Sequence, residues 1–224
     1  MISAGNKFYD YTTGLDTDLD LPPGTHLINP YGNPEVTVVF KKFCETFYGV
    51  NRKRYLILGI NAGRFGAGVT GVPFTDPIAL STHCGIENSF PKTHELSSRF
   101  IYEMISVFGG ATKFYSQFLL SAVCPLGFLN GKNNYNYYDS SHLLKAATPL
   151  IRSSLNAHAS WNIQPSVVIS LGKKNASNLE AFNSELKLFE KVITLEHPRY
   201  IMQYKLKTKQ DYISRYCDVL GGLL

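Results

Sequence analysis

Cysteine is scarce in this sequence, with four residues among 224. No C-x-x-C pair occurs and the four cysteines are scattered along the sequence, which argues against a zinc or iron-sulfur centre. We therefore expect no metal and no cofactor. The thiols are predicted to be free and buried: Cys44, Cys84, Cys124 and Cys217.

Long apolar runs are also missing. No stretch of about 18 apolar residues exists to span a bilayer, and the start, MISAGNKFYDYTTG, lacks the basic and apolar regions of a secretory signal. We expect a cytoplasmic protein without a membrane partner. Because the chain is 44% hydrophobic and no linker divides it, we predict one domain over residues 1–224, monomeric by default, with residues 1–27 as an acidic N-terminal extension.

The net charge of +5 is unevenly distributed. Residues 187–215 carry seven Lys or Arg against three acidic residues, and a second basic cluster covers residues 41–42 and 52–54. Single basic runs are usually solvated helix faces. Two clusters beside glycine-rich or histidine-containing loops favour a polyanionic partner.

Strand and helix patterns alternate along the chain. Buried strands are predicted at Tyr55–Ile60, Phe118–Val123, Ser166–Leu171 and Lys191–Leu195, and helices at Glu35–Tyr48, Glu95–Phe108, Ser140–His158, Lys173–Leu186 and Thr208–Leu220. This order predicts an α/β fold of three layers, α/β/α, around a mainly four-stranded parallel sheet. Ligands bind beyond the carboxyl ends of such strands, where four loops follow: 61–77, 124–139, 172 onward and 197–207.

The first of these loops, GINAGRFGAGVTGVPF at residues 59–74, contains a G-x-G-x-x-G at positions 66, 68 and 71. A dinucleotide site needs this motif directly after a strand and at the start of a helix. Here it lies six residues beyond the predicted strand, and Pro73 and Pro77 prevent a regular helix from starting at its end. A nucleotide-binding α/β enzyme therefore ranks behind other interpretations.

What remains is a loop suited to a planar ligand. Asn61 is the first polar side chain past the strand, Gly59 and Gly63 permit close backbone approach, and Phe65 and Phe74 offer ring faces. An equally simple interpretation is that Asn61 caps a turn and both rings fill the core.

The same loop resembles the first motif of the uracil-DNA glycosylase superfamily, and specifically the single-strand-selective monofunctional uracil-DNA glycosylases, with the pattern G-M-N-P-G-x-F-G-x-x-x-T-G-V-P-F. A second motif, H-P-x after the last strand, resembles His197-Pro198. Together with intervening stretches such as CGIEN, CPL and VVISLG, the resemblance covers about residues 28–220. The residues in register in the first motif are Gly59, Asn61, Gly63, Phe65, Gly66, Thr70, Gly71, Val72, Pro73 and Phe74.

This resemblance implies a monofunctional DNA glycosylase that flips out a base and hydrolyses its bond to the sugar. Asn61 would position the attacking water and His197 would donate to the departing base. DNA containing deaminated bases would be the partner. The implied base-pocket residues are Ala62, Gly63, Phe65, Phe74, Ser121 and Ala122, and the implied DNA contacts are Arg199, Tyr200, Ile201, Met202, Lys205 and Lys207.

The sequence departs from the family pattern at three places. Ala62 replaces a proline, Arg199-Tyr200-Ile201-Met202 replaces Ser-Pro-Arg, and Ala122 replaces a base-reading asparagine two residues before C-P-L. Loss of that amide predicts a more permissive pocket that accepts uracil and also xanthine or hypoxanthine. A non-catalytic nucleic-acid-binding module of the same fold stays open as the alternative.

Overall fold

Four hydrophobic strands form a parallel sheet at the centre of the computed structural model, which describes residues 2–224. Their order is β3-β2-β6-β7, and each strand is joined to the next in sequence by at least one helix. The strands of both sheets, within residues 2–224, are β1 Thr25–Ile28, β2 Arg54–Gly59, β3 Phe118–Ala122, β4 Gly127–Asn130, β5 Asn133–Tyr135, β6 Ile163–Leu171 and β7 Lys191–Leu195.

Helices surround this sheet. The α-helices of the same part of the chain are α1 Ala4–Thr13, α2 Pro34–Tyr48, α3 Ala67–Thr70, α4 Pro77–Thr82, α5 Leu96–Phe108, α6 Ala111–Gln117, α7 Ser141–Ala159, α8 Lys173–Leu186, α9 Pro198–Tyr204 and α10 Lys209–Gly221. The predicted α/β fold is confirmed, and every predicted strand and long helix is present. Most boundaries differ by only one or two residues; β6 begins three residues earlier.

Local chemistry explains several helix starts. Asn33, Ser140 and Asp76 each accept a backbone N–H in the first turn of α2, α7 and α4, and a proline occupies the first position of α2 and α4. α8 instead begins after Gly172, whose φ of +101° suits glycine.

A second sheet was not predicted. β1, β4 and β5 form an antiparallel sheet in the order β1-β4-β5, and two of these strands lie in the loop that follows β3. Gly127 is required there, because a Cβ at this position would lie 2.2 Å from the Ala62 carbonyl oxygen. The small sheet thus packs directly against the loop that follows β2.

The N-terminal residues pack onto the rest of the fold. α1, which lies within the predicted acidic extension over residues 1–27, packs on α2 and inserts Phe8 into the core, where its ring lies 4.9 Å from Trp161 and 5.1 Å from Phe40. An amphipathic ten-residue helix with few flanking signals is not specified by sequence periodicity alone, because packing stabilises it.

The basic cluster before β2 is partly structural. The Arg54 side chain is buried and donates to the carbonyl oxygens of Phe47, Val50, Arg52 and Tyr115. The Arg54 guanidinium therefore caps the C-terminal turn of α2 and is not available to bind a polyanion. Three cysteines are buried as predicted, whereas Cys217 is only partly buried.

Candidate active site

A cavity of about 650 Å³ opens at the carboxyl end of the parallel sheet. The loops after β2, β3 and β7 all contribute to its lining. Every residue predicted for catalysis or the base pocket lines it: Asn61, His197, Ala62, Gly63, Phe65, Phe74, Ser121 and Ala122. Asn61 and His197, which are 136 positions apart in sequence, therefore line the same cavity.

Asn61 lies two residues beyond the end of β2. Its Nδ2 donates to the Tyr135 carbonyl oxygen at 3.4 Å, and because a carbonyl can only accept, this contact fixes which end of the amide is nitrogen. Its Oδ1 is buried, and within residues 2–224 no donor reaches it. A buried acceptor without a partner is costly, so this oxygen is suited to a bound water or ligand.

His197 occupies the N-cap of α9. Its Nδ1 accepts the backbone N–H of Arg199 at 3.1 Å, so a neutral ring carries its proton on Nε2. Burial, and secondly the positive charge of Arg199, lower the pKa of His197 to about 4. The imidazole is therefore neutral near pH 7. Gly172 packs closely against the His197 side chain, because a Cβ at position 172 would lie 3.3 Å from the His197 Cβ.

Phe74 adopts a strained backbone conformation, with φ of +54°. Such values are rare for aromatic residues and cost free energy that the surrounding structure must offset. The Thr70 hydroxyl helps to offset it by donating to the Thr75 carbonyl at 2.6 Å and accepting from Val72 N. The Phe74 ring lies 6.0 Å from the His197 ring, centroid to centroid. The strain places an aromatic face beside the imidazole.

The glycine-rich motif is not a phosphate cradle. Gly66 precedes the four-residue helix α3, Gly68 lies within it, and Gly71 ends it with φ of +73°. The Tyr31 hydroxyl donates to the Gly71 carbonyl at 2.7 Å. These glycines shape the turn that leads to Phe74, and α3 is too short to supply a helix N-terminal anion site.

Phe65 lies at the rim of the cavity and not in its interior. The side chain is 44% exposed, and the Arg64 guanidinium covers its ring at 4.3 Å from the centroid. Ala122 contributes only a methyl group to the lining, while the neighbouring Ser121 hydroxyl lies 2.8 Å from Nε2 of the buried His158.

The resemblance implies DNA contacts at each of the four residues 199–202, and this is wrong for two of them. Ile201 and Met202 are 0% and 6% exposed, because the helical turn of α9 directs them inward to the core. Arg199 and Tyr200 are exposed on the other side, and the Tyr200 ring packs at a tilt against the Tyr204 ring, with 5.5 Å between centroids.

Lysines follow α9 on the surface. Lys205 and Lys207 are exposed. Lys209, by contrast, is largely buried and pairs with Glu103. Arg215 pairs with Glu196 at 3.3 Å. The basic surface beside the cavity therefore contains fewer unpaired basic side chains than the seven that residues 187–215 carry.

Several lining residues were not predicted. Phe8 and Thr12 come from α1, and Asn133 and Asn134 from β5. The Asn-rich composition of the loop after β3 hinted at the latter pair, and the Asn134 Oδ1 accepts Arg64 N at 3.2 Å. No sequence signal connects α1 with the loop after β2, which begins 47 residues beyond the end of α1.

In residues 2–224, no group of three or more His, Cys, Asp or Glu is arranged to hold a metal ion. None of the helices in this part of the chain combines the length and apolar character needed to cross a bilayer.

Comparisons with known proteins agree with the resemblance seen in the motifs. The sequence profile of the Uracil DNA glycosylase superfamily matches residues 46–221. The crystal structure of SMUG2 from Pedobacter heparinus is similar, with a TM-score of 0.95 and 43% sequence identity over 100% of this chain and 99% of that chain. No curated protein matches the chain. Because the profile covers most of the sequence and the similar structure covers all of it, the chain belongs to the uracil DNA glycosylase superfamily.

Proposed function

We propose that this DNA glycosylase hydrolyses the bond between sugar and base at uracil and also at the deaminated purines hypoxanthine and xanthine. The observation that carries the proposal is the buried, unpartnered Oδ1 of Asn61 in the same cavity as the Nε2–H of His197. One group can orient a water and the other can polarise a base, which are the two requirements of N-glycosidic hydrolysis.

Asn61 positions the water. Its Oδ1 accepts a hydrogen bond from the water and leaves the water's lone pairs free to attack C1′. An amide takes up no proton, so it contributes orientation rather than general-base catalysis. This predicts a slower enzyme than one with a carboxylate at position 61.

His197 stabilises the departing base. Cleavage places negative charge on the base, and the neutral imidazole donates its Nε2–H to a base carbonyl oxygen as that charge develops. Because the ring is held by Arg199 N and Gly172, little reorganisation is needed. An oriented donor of this kind contributes about 10² to 10³ in rate.

Phe74 supplies the stacking surface for the flipped base. Stacking contributes about 1 to 3 kcal/mol per base and accepts purines as well as pyrimidines. Ala122, which carries no polar side-chain atom, neither selects nor rejects a particular base edge. Both features favour a broad range of bases.

DNA binding falls to the exposed groups beside the cavity. Arg199, Lys205 and Lys207 are suited to phosphates, and Tyr200 to stacking on a neighbouring base. Lysine is not among the cavity-lining residues of the described chain, 2–224, so no amine nucleophile is available for strand cleavage. We therefore propose a monofunctional enzyme. Its monomeric state and cytoplasmic location stay predictions from the sequence.

A base-release assay on oligonucleotides containing uracil, hypoxanthine or xanthine tests the proposal. Asn61→Ala and His197→Ala should each lower the single-turnover rate by about 10² or more, with a far smaller effect on DNA affinity. His142→Ala, at a half-exposed histidine, is the matched control. A non-catalytic binding module would release no base, and release of uracil alone would contradict the broad range.

A further inference from the structure

Asn175 is a buried polar residue that the proposed mechanism does not use. It lies in the first turn of α8, three residues after Gly172, and is 0% exposed. The residue itself does not line the site cavity. A polar side chain buried in this way needs hydrogen-bond partners, and Asn175 finds them on two segments of the chain that meet at the cavity.

The amide nitrogen of Asn175 holds the end of β2. Nδ2 donates to the carbonyl oxygens of Leu58 at 3.2 Å and Gly59 at 3.0 Å, and it also donates to the Ser170 hydroxyl oxygen at 3.1 Å. Because a carbonyl oxygen only accepts, the first two contacts assign the nitrogen end of the amide. Gly59 is the last residue of β2, two positions before Asn61. The strand end that leads to Asn61 is thereby bonded to α8.

The amide oxygen of Asn175 holds the loop that follows β3. With the nitrogen assigned, Oδ1 can only accept, and the Tyr137 hydroxyl donates to it at 3.0 Å. Tyr137 is also 0% exposed, so bulk solvent does not compete for this hydrogen bond. Tyr137 lies two positions after Tyr135, whose carbonyl oxygen accepts the Nδ2–H of Asn61 at 3.4 Å. The same loop therefore contacts both amide side chains.

These contacts form a closed ring of hydrogen bonds. Asn175 bonds Gly59 and Tyr137, while Asn61, two residues after Gly59, bonds Tyr135, two residues before Tyr137. At 3.4 Å the contact between Asn61 and Tyr135 is long for a hydrogen bond, so by itself it restrains the Asn61 amide weakly. An amide that orients a water must be held firmly, since a misplacement of about 1 Å can lower a rate about 10²-fold.

We propose that Asn175 is a positioning residue, which joins the end of β2 to the Tyr137 hydroxyl and so holds the Asn61 amide with its Oδ1 available to the attacking water. The inference rests on the proposed function, because it assumes that Asn61 orients that water. It gives α8, which contributes no side chain to the chemistry, a part in aligning it.

The geometry is tested first on the free protein, without any base release. The probe is the Asn61 side-chain Nδ2–H₂ pair in ¹⁵N NMR spectra, which is identified by its loss in Asn61→Ala. Tyr137→Phe removes one hydroxyl and keeps the ring, and it should shift this pair and speed its hydrogen exchange about three- to tenfold, as expected for one neutral hydrogen bond. An unchanged Asn61 pair in Tyr137→Phe overturns the proposal.

Tyr11→Phe is the matched control for this measurement. It also removes one hydroxyl from a tyrosine, but the Tyr11 hydroxyl bonds Ser153, in a groove separate from the site cavity. The Asn61 pair should keep its wild-type shift and exchange rate in Tyr11→Phe.

The effect on hydrolysis is tested by single-turnover release of uracil. Tyr137→Phe should lower the rate about three- to tenfold and Asn175→Ala about 10²-fold, with Kd unchanged for an oligonucleotide that contains non-cleavable 2′-fluoroarabino-uridine. Asn183→Ala is the control on the same helix, because its side chain bonds the backbone of Leu188 and Phe189. Its melting temperature should fall while its rate equals that of the wild type.

A double-mutant cycle separates positioning from a general structural effect. Because Asn175 is proposed to act through Asn61, Asn175→Ala should not lower the residual rate of Asn61→Ala any further. Full multiplication of the two effects overturns the inference. Thermal melting checks that each variant is folded, and Tyr137→Phe takes the place of Asn175→Ala in the cycle if the latter does not fold. Absence of base release by the wild type would instead defeat the proposed function, with the NMR comparison still deciding this one.

Discussion

Gly59 and Phe74 occupy adjoining space that leaves no room for another atom. A Cβ built on Gly59 would lie 2.4 Å from the Cε2 and Cζ atoms of the Phe74 ring. Gly59 is the last residue of β2, and Phe74 lies near the end of the loop that follows β2. The Phe74 ring therefore packs directly against the end of the strand. The position of the Phe74 ring, the proposed stacking surface, therefore depends on the absence of a side chain fifteen residues earlier.

Replacement of Gly59 by alanine should displace the Phe74 ring. Because stacking contributes about 1 to 3 kcal/mol, we expect uracil release to fall about tenfold to a hundredfold while the fold is retained. The measurement is the single-turnover rate, with circular dichroism as the check on folding. Gly221→Ala has the matching chemical change at the end of α10, with no atom near the added Cβ and no positive φ, and loss of activity there as well would indicate a general effect.

Activity should depend on His197 in its neutral form. Protonation of Nδ1 would place two N–H groups against each other at Arg199, so the rate should be flat near neutral pH and fall as pH approaches the pKa of about 4. A pH series of single-turnover rates measures this. A rate that instead rises as pH drops through 6.5 would show that the imidazolium is the active form.

The same histidine links stability to pH. The ordinary pKa of histidine, 6.5, applies to the unfolded chain, whereas the pKa of His197 is about 4 in the folded protein. The unfolded chain therefore binds the proton more readily. The contribution of His197 to the free energy of unfolding is complete above pH 6.5 and is lost as pH falls toward about 4. Denaturant titrations of the wild type and of His197→Gln should converge as pH decreases over this range.

DNA affinity should depend on salt through the lysines after α9. Each phosphate contact adds about 0.7 to 0.9 to the slope of log affinity against log salt, so Lys205→Ala and Lys207→Ala should each reduce the slope by about that amount. Lys209→Met is the control, since Lys209 already pairs with Glu103. Equal slopes in all three variants would place the phosphate path elsewhere.

Arg54 should matter for stability and not for DNA binding. Arg54→Leu leaves the carbonyl oxygens of Phe47, Val50 and Tyr115 without this donor, and we expect the free energy of unfolding to fall by about 2 to 4 kcal/mol. Denaturant unfolding measures the change. Arg52→Leu, at an exposed neighbour with one long contact of 3.5 Å, should be nearly neutral, while the salt dependence of DNA binding should be unchanged in both.

The parallel sheet and its long helices could be predicted because their signals are local. Hydrophobic periodicity and flanking Gly, Pro and Asn mark β2, β3, β6 and β7 and the helices between them. The small sheet was missed because β4 and β5 contain only four and three residues, and α1 was missed because its stability depends on Phe8 packing against distant rings.

The sequence by itself determined the fold class, the family, and the identity of the two polar groups at the strand ends, Asn61 and His197. Only the tertiary structure decided which side chains face the cavity, because a helical turn buries Ile201 and Met202 while it exposes Arg199 and Tyr200. It also brought His158 to Ser121, a contact between residues 37 positions apart. Spacing along a chain specifies which strand or helix a residue occupies, whereas hydrogen bonding and burial depend on elements that meet only after folding.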